Sequence, residues 1–97
     1  MSMPVELDPH AEAEARDAFL WYLERNARAA LAFESELDFA IQQISDSPST
    51  YPIIEDDLRR FTLRRFPYSI LYTIGSVSVR ILAIAHQHRR PGYWRAR

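Results

Sequence analysis

The spacing of the apolar residues changes abruptly near residue 58, and this change constrains the fold more than any other feature. Between residues 8 and 44 the apolar residues recur every three or four positions, which is typical of helices that bury one face. From Leu58 onward they alternate with polar residues, which is typical of strands that bury one face. The pattern predicts an α+β protein in which a helical hairpin packs on one face of a small antiparallel sheet.

Two helices are predicted in the first half of the chain. Asp8 and Pro9 suit the N-cap and the first position of a helix that continues to about Arg25. Asn26 is suited to end this helix, and a second helix is expected over residues 27–44, joined to the first by a tight turn. The apolar stripe of the second helix consists of Ala30, Phe33, Leu37, Ala40, Ile41 and Ile44.

One short strand is expected at residues 3–7, and three more follow the helices. The later strands begin at Leu58, at Tyr68 and at Val77, and a loop over residues 45–52 precedes them. Gly75 followed by Ser76 fits a two-residue type II′ turn between the last two strands. This turn would pair Ile74 with Val77, Tyr72 with Val79, and Ile70 with Ile81. The predicted element order is β-α-α-β-β-β.

Alternation assigns the side chains of these strands to two faces. Phe61 and Leu63 are expected to face the core, and Arg60, Thr62 and Arg64 to share the opposite face. In the hairpin, the residues expected on that opposite face are Ser69, Leu71, Thr73, Ser78, Arg80 and Leu82. The sheet is therefore predicted to expose a basic surface.

Charge is divided between the same two parts of the chain. All 13 acidic residues lie in residues 1–57 with only three arginines, which gives this part a formal charge of −10. Residues 58–97 contain nine arginines, no lysine and no acid, which gives +9. One interpretation is a basic surface for nucleic acid or for an acidic protein segment. The other is neutralisation within the molecule by acidic helices packed on a basic sheet, and the two are compatible.

Composition excludes several classes of protein. The chain has no cysteine, so it has neither disulfides nor thiolate metal sites. Its apolar runs, such as residues 81–85, are far shorter than the roughly 20 residues that cross a bilayer. The acidic N-terminal region is unlike a secretory signal. We therefore expect one domain over residues 1–97, cytoplasmic and without membrane contact, and predict no cofactor.

The C-terminal tail, residues 86–97, interleaves arginines with aromatic residues. This pattern is typical of binding to RNA or to single strands through phosphate charge and base stacking. It also suits a ribonuclease in which Arg contacts the phosphate and Tyr or His transfers protons. Alternatively, Tyr93 and Trp94 fold back and cap the sheet. His86 and His88 lack a third ligand nearby, so hydrogen bonding or proton transfer is favoured over a metal site.

Several stretches of the second half resemble the RelE/ParE family of toxins, and its ParE-like plasmid stabilisation branch most closely. They are Leu58–Phe61 with Arg65–Tyr72, then Val79–His86, then Arg89–Trp94. The resemblance implies a microbial-ribonuclease-like fold and a toxin that a cognate antitoxin neutralises, and it allows a homodimer or a heterotetramer with the antitoxin. RelE-type members cleave mRNA on the ribosome, whereas ParE-type members are associated with growth inhibition through DNA gyrase.

The chain departs from the RelE ribonucleases at one position of the central strand. They carry a catalytic Arg just after the Tyr that opens this strand, and here Ser69 follows Tyr68. Arg89 and Tyr93 hold places similar to the C-terminal Arg and Tyr of those enzymes, with different spacing. We therefore favour a ParE-like toxin that binds gyrase, with a ribosome-dependent mRNA endoribonuclease as the alternative and an inactive antitoxin-binding relative as a third hypothesis. The candidate catalytic residues of the alternative are Arg80, His86, Arg89 and Tyr93. The residues predicted to contact the target are Arg60, Arg64, Arg80, Arg89, Arg90, Tyr93 and Trp94.

Overall fold

The computed structural model describes residues 2–97 and confirms an α+β protein with a helical hairpin on one face of a sheet. Its helices and strands are β1 (Val5–Leu7), α1 (Pro9–Arg25), α2 (Ala27–Asp46), β2 (Ile53–Glu55), β3 (Leu58–Thr62), β4 (Tyr68–Ile74) and β5 (Val79–His86). Two short 3₁₀ helices are Pro48–Thr50 and Tyr93–Ala96. All the predicted helices and strands occur in the predicted order. The structure adds one strand, β2, whose three residues are too few for an alternating pattern to predict it.

The ends of the helices are set by the capping residues that the sequence indicates. Asp8 is the N-cap of α1, and its carboxylate accepts a hydrogen bond from the amide of His10 at 2.8 Å. Asn26 ends α1 through its backbone N–H and caps α2 through its side-chain oxygen. The second helix continues to Asp46, slightly past its predicted end at Ile44.

The sheet has five strands in the spatial order β1-β5-β4-β3-β2. The strands β2 to β5 pair antiparallel in succession, whereas β1 pairs parallel with β5, with Val5 opposite Val79. The helical hairpin connects β1 at one edge of the sheet to β2 at the other edge. The strands β2 to β5 then follow one another across the sheet until β5 lies beside β1. The sheet is therefore mixed, whereas the sequence predicts a purely antiparallel one.

The predicted turn at Gly75 and Ser76 is wrong. The loop extends from Gly75 to Ser78 and closes with a hydrogen bond from the amide of Gly75 to the carbonyl of Ser78 at 2.8 Å. A type II′ turn needs a positive φ at its first central residue, and among residues 2–97 only Asp56 and Gly92 have one. The observed pairs are Ile74 with Val79, Tyr72 with Ile81, and Ile70 with Ile84.

Burial explains this register. Val79 is fully buried, whereas Val77, the predicted partner of Ile74, is 77% exposed in the loop. Farther along β5, Leu82 is an extra residue between the partners of Tyr72 and Leu71 in β4. This shift in register interrupts the alternation of side chains between the two faces of the sheet. As a result, Ile84 joins the core under the helices and Ala83 lies on the opposite face.

The sheet has an apolar cluster on each side. The larger one lies under the helices and includes Phe33 and Tyr72, whose hydroxyl donates to the carbonyl of Pro48 at 2.6 Å. The smaller one lies on the far face, the sheet face turned away from the helices, and consists of Leu58, Leu71, Ala83 and Ala85. Leu71, which alternation assigns to the exposed face, is 2% exposed because the C-terminal tail covers it.

Candidate functional site

The C-terminal tail folds back across the far face. Gly92 has a φ of 82°, a left-handed conformation that glycine adopts without strain. The 3₁₀ helix that follows places Tyr93 and Trp94 against the apolar cluster around Leu71. The two rings meet edge to face with their centroids 5.6 Å apart. The alternative in which Tyr93 and Trp94 fold back and cap the sheet is therefore the one that the structure shows.

Glu14 of α1 holds the tail in place. Its carboxylate accepts hydrogen bonds from the hydroxyl of Tyr93 at 2.7 Å and from the two terminal nitrogens of Arg97 at 2.8 and 3.0 Å. It also accepts from the amide of Ile84 at 3.0 Å, and Arg97 donates to the carbonyl of Leu82 at 3.0 Å. The side chains of Glu14 and Arg97 are only 14% and 11% exposed. The tail and α1 are therefore joined by a largely buried ion pair.

The pKa values of Glu14 and Tyr93 shift in opposite directions at this contact. Burial raises the pKa of Glu14, but the hydrogen bonds from Arg97, Tyr93 and Ile84 outweigh it and hold this pKa below its usual range. Burial, together with the hydrogen bond to Glu14, raises the pKa of Tyr93. The phenol of Tyr93 therefore keeps its proton at neutral pH and directs it at Glu14.

A groove of about 200 Å³ lies between the far face and the tail. Arg60 and Ser69 line it from the sheet, and His86 and Arg89 line it from the tail. The guanidinium of Arg89 lies over the ring of Tyr93, 4.0 Å from its centroid. Within residues 2–97, Arg60 and Arg89 form no ion pair. This far-face groove therefore presents two free cations and a hydroxyl group, which suit a phosphate or a carboxylate.

The far-face groove brings together most of the predicted site residues but not all of them. Those that line it are Arg60, His86, Arg89, Tyr93 and Trp94. Arg90 is exposed in the adjacent part of the tail. Arg64 follows the end of β3, and its backbone amide donates to Glu36 of α2, so it does not extend the Arg60 surface as alternation predicts. Arg80 donates to Asp8 at 3.0 Å, away from the groove.

The interpretation of the charge division as neutralisation within the molecule holds in part. Four of the nine arginines in residues 58–97 form ion pairs with acids of the first part, namely Arg65 with Glu36, Arg80 with Asp8, Arg95 with Glu55, and Arg97 with Glu14. Across residues 2–97 the other five arginines of this part form none. Acidic elements thus neutralise one portion of the basic charge, and Arg59, one of the five others, donates to the carbonyls of Ser49 and Tyr51.

Glu14 is the site residue that sequence reasoning missed, although its position carries a signal. It lies three residues after Ala11 and four before Ala18, and both alanines are buried. An acid on the buried stripe of a helix needs a partner, because an unpaired buried charge is costly. That signal indicates that a partner exists but does not say which arginine supplies it.

The histidines do not form a metal site within the described part of the chain. No group of three or more His, Cys, Asp or Glu side chains in residues 2–97 is arranged to hold a metal ion. The rings of His86 and His88 lie 5.3 Å apart, and the amide of His88 donates to Nδ1 of His86 at 3.0 Å. No helix in the same residues is long and apolar enough to cross a membrane.

Comparison with known proteins identifies the family. The family model described as the ParE toxin of the type II toxin–antitoxin system parDE matches residues 5–91. The fold is similar to a chain of the chromosomal ParDE toxin–antitoxin system from P. aeruginosa, with a TM-score of 0.77 and 18% identity over 88% of this chain and 96% of that one. It is also similar to a chain of the toxin–antitoxin complex RelBE2 from Mycobacterium tuberculosis, with a TM-score of 0.57 and 21% identity over 89% and 99% of the two chains. A search of curated protein sequences found no match. The chain therefore belongs to the ParE/RelE family of toxins of type II toxin–antitoxin systems.

Proposed function

We propose that this toxin arrests growth by binding an essential protein, with DNA gyrase as the target, and that the far-face groove and the tail form the contact surface. The groove has free cations at Arg60 and Arg89, and the aromatic rings of Tyr93 and Trp94 border it. Arginine and large aromatic side chains are the residues most often responsible for affinity in protein interfaces. Membership of the ParE family is consistent with such a target.

The observation that carries the choice of a binding toxin over a nuclease is the position of the Tyr93 hydroxyl. General acid catalysis needs a proton donor within reach of the leaving oxygen of the substrate. The hydroxyl of Tyr93 donates to Glu14 at 2.7 Å, and its pKa is raised by burial and by that bond. Ser69 occupies the strand position at which similar ribonucleases have an arginine. The groove is thus better equipped to bind than to cleave.

The proposal is tested by measuring gyrase supercoiling and cell-free translation with the same preparation of toxin. We expect supercoiling to be inhibited, and the Arg60→Gln/Arg89→Gln double variant to be weaker by about tenfold or more because interface charges guide and hold the complex. Arg28→Gln, which changes an exposed arginine on α2, is the matched control and should inhibit like the wild type. Uninhibited supercoiling at saturating toxin would refute the assignment to gyrase.

The alternative, a ribosome-dependent endoribonuclease, rests on a different observation. His86 and Arg89 line the same groove, and the imidazole and guanidinium are suited to proton transfer and phosphate binding. This function would be established instead if the wild type cleaved mRNA on added ribosomes and left gyrase active, and if His86→Gln no longer cleaved the mRNA. Intact mRNA under conditions that arrest growth would exclude it.

We also propose that a cognate antitoxin covers part of the free basic surface. Within residues 2–97 no ion pair is formed by the guanidinium groups of Arg60, Arg64, Arg89 and Arg90, which suit acidic residues of an amphipathic segment. The two proteins, co-expressed, should co-purify at low salt and dissociate more readily as salt increases. The mass of the complex in solution distinguishes a one-to-one pair from a heterotetramer, and the mass of the toxin alone tests for a homodimer. Failure to co-purify at low salt would refute the interaction.

A further inference from the structure

A second opening, here called the aromatic slot, lies between α1 and the adjoining ends of β4 and β5. Its volume is about 430 Å³. The side chains that line it include the aromatic residues Trp21, Tyr68 and His86, the acids Glu14 and Asp17, and Arg89. Two of them, His86 and Arg89, also line the far-face groove, so the two openings adjoin at the beginning of the tail.

The rings of the aromatic slot are held in fixed positions and can accept a cation. The ring of Tyr68 meets that of His86 edge to face, with centroids 5.0 Å apart. The ring of Trp21 meets that of Tyr22 in the same way at 5.1 Å. The face of an aromatic ring attracts cations, and the guanidinium of Arg25 lies 3.7 Å from the centroid of Trp21. Trp21 is nevertheless 51% exposed, so it holds a cation of its own helix and still has half of its surface open.

Asp17 supplies the slot with a free negative charge. Across the residues that the structure describes it forms no ion pair, whereas Glu14 is paired with the tail. Asp17 also lies four residues before Trp21 in α1, and residues at this spacing are neighbours on the surface of a helix. A free carboxylate and a half-exposed indole therefore adjoin on α1. Arg89 approaches from the tail, where its guanidinium lies over the ring of Tyr93, 4.0 Å from the ring centroid.

We propose that the aromatic slot receives the side chain of a lysine or arginine from a partner polypeptide. The charged group would contact the ring of Trp21 and pair with Asp17, and the methylene groups would pack against the other rings. A carboxylate or a phosphate would meet two acids in the slot, and an apolar side chain would leave the charge of Asp17 without a partner. This inference goes beyond the proposed inhibition of gyrase and the proposed antitoxin contact, and it depends on neither.

The adjoining far-face groove favours a polypeptide over a small free amine. A chain whose basic side chain enters the slot passes His86 and Arg89 on its way to Arg60, because the two openings share the first two residues. The groove is basic and the slot has the free carboxylate of Asp17, so a fitting segment carries a basic residue and, close to it, an acidic one. Opposite charges matched in this way give an interface specificity and fix its register. A free amine would occupy the slot alone.

The test is a titration of the full isotope-labelled chain followed by two-dimensional NMR at constant ionic strength. The probe is the tripeptide lysine–alanine–aspartate, acetylated and amidated at its ends. Its comparison peptide has norleucine in place of lysine and so lacks only the ammonium group. The chain has two tryptophans, and a Trp94→Phe variant assigns their indole N–H signals. We expect the lysine peptide to shift the Trp21 signal saturably and to bind at least about threefold more tightly than the norleucine peptide.

Three variants locate the contact, with the backbone amide signals of α1 as the readout. Asp17→Asn keeps the shape of the side chain and removes its charge, so it should weaken binding of the lysine peptide by about threefold or more. Asp38→Asn makes the same change at an exposed acid of α2 outside the slot and should leave the affinity unchanged. Trp21→Ala should weaken binding by about threefold or more because the ring that contacts the cation is lost.

Each outcome of the titration decides the matter. Equal binding of the lysine and norleucine peptides, absence of a saturable shift, or an equal effect of Asp17→Asn and Asp38→Asn would overturn the proposal. Tighter binding of the lysine peptide than of n-butylammonium supports a polypeptide, and equal affinities would overturn that choice. Arg89→Gln removes a like charge and should bind n-butylammonium at least as tightly as the wild type does; weaker binding would contradict the proposed recognition of a cation. Gyrase inhibition and antitoxin co-purification are measured on the same preparation, so this proposal and the proposed functions succeed or fail separately.

Discussion

Replacing Glu14 by alanine removes the acceptor that joins the C-terminal tail to α1. The carboxylate receives hydrogen bonds from Tyr93, from Ile84 and twice from Arg97. Breaking a buried ion pair costs about 3–5 kcal/mol when the remaining charge stays buried. Here the short tail can detach and return Arg97 to water, so we expect a smaller loss of about 2–3 kcal/mol. For a domain of this size each 1 kcal/mol lowers the Tm by about 4–8 °C, which predicts a decrease of about 8–24 °C.

Thermal unfolding followed by circular dichroism measures this effect. The far-ultraviolet signal reports the Tm, and the near-ultraviolet signal, compared with that of a Trp94→Phe variant to isolate the contribution of Trp94, reports whether the tail still covers the far face before unfolding. Glu24→Ala, which removes an exposed acid from the same helix, is the control and should change stability by no more than about 0.5 kcal/mol. A Glu14→Ala variant that melts within about 2 °C of the wild type would contradict the assigned role of Glu14.

Four further outcomes follow from the same contacts. Because the pKa of Glu14 is lowered in the folded state, the ionised carboxylate stabilises the fold at pH values above its ordinary pKa of 4.5, and this stabilisation is lost in more acidic solution. The difference in the free energy of unfolding between wild type and Glu14→Gln, measured with urea, should therefore shrink as the pH falls from about 6 to 3. Tyr93→Phe should lower stability by about 1 kcal/mol while leaving growth arrest intact, and loss of arrest together with loss of mRNA cleavage would favour the nuclease. Phe33→Ala, at 1% exposure, should cost about 3–5 kcal/mol by urea unfolding. Gly92→Ala would strain a backbone with a φ of 82° and would place a Cβ against the guanidinium of Arg95, so the near-ultraviolet signal should weaken as the tail loosens; an unchanged signal would count against this conformation.

The two helices can be predicted from local signals in the sequence, whereas the register of the β4–β5 hairpin cannot. Asp8, Pro9 and Asn26 act within one turn of their own position, so the sequence predicts α1 and α2 closely. The register of β4 and β5 is different, because Val77 and Val79 are both apolar and lie on the same side of an ideal strand. Alternation is satisfied by either pairing, and only the packing of Val79 under the helices distinguishes them.

Part of the lining of the far-face groove was predicted from the sequence, but its arrangement was not, and Arg64 and Arg80 lie outside it. The sequence indicates that Arg60, Arg89 and the tail belong to one basic surface, and the far-face groove brings them together. It does not indicate that the tail buries Leu71 or that Tyr93 donates to Glu14. These contacts join residues distant in the sequence, and no local period encodes which distant groups meet.

The bonds made by Glu14 and Arg97 also occupy part of an open edge of the sheet. The strand β1 pairs with only the first part of β5, residues 79–81. Beyond it, the amide of Ile84 is bound to Glu14 and the carbonyl of Leu82 to Arg97, so these backbone groups are not free to template another strand. Edge-to-edge association of two sheets on this side, whether an orderly dimer or the start of an aggregate, must first displace the tail. The bond from Arg97 thus occupies a backbone carbonyl of β5 that would otherwise be free to pair with a strand of a second copy.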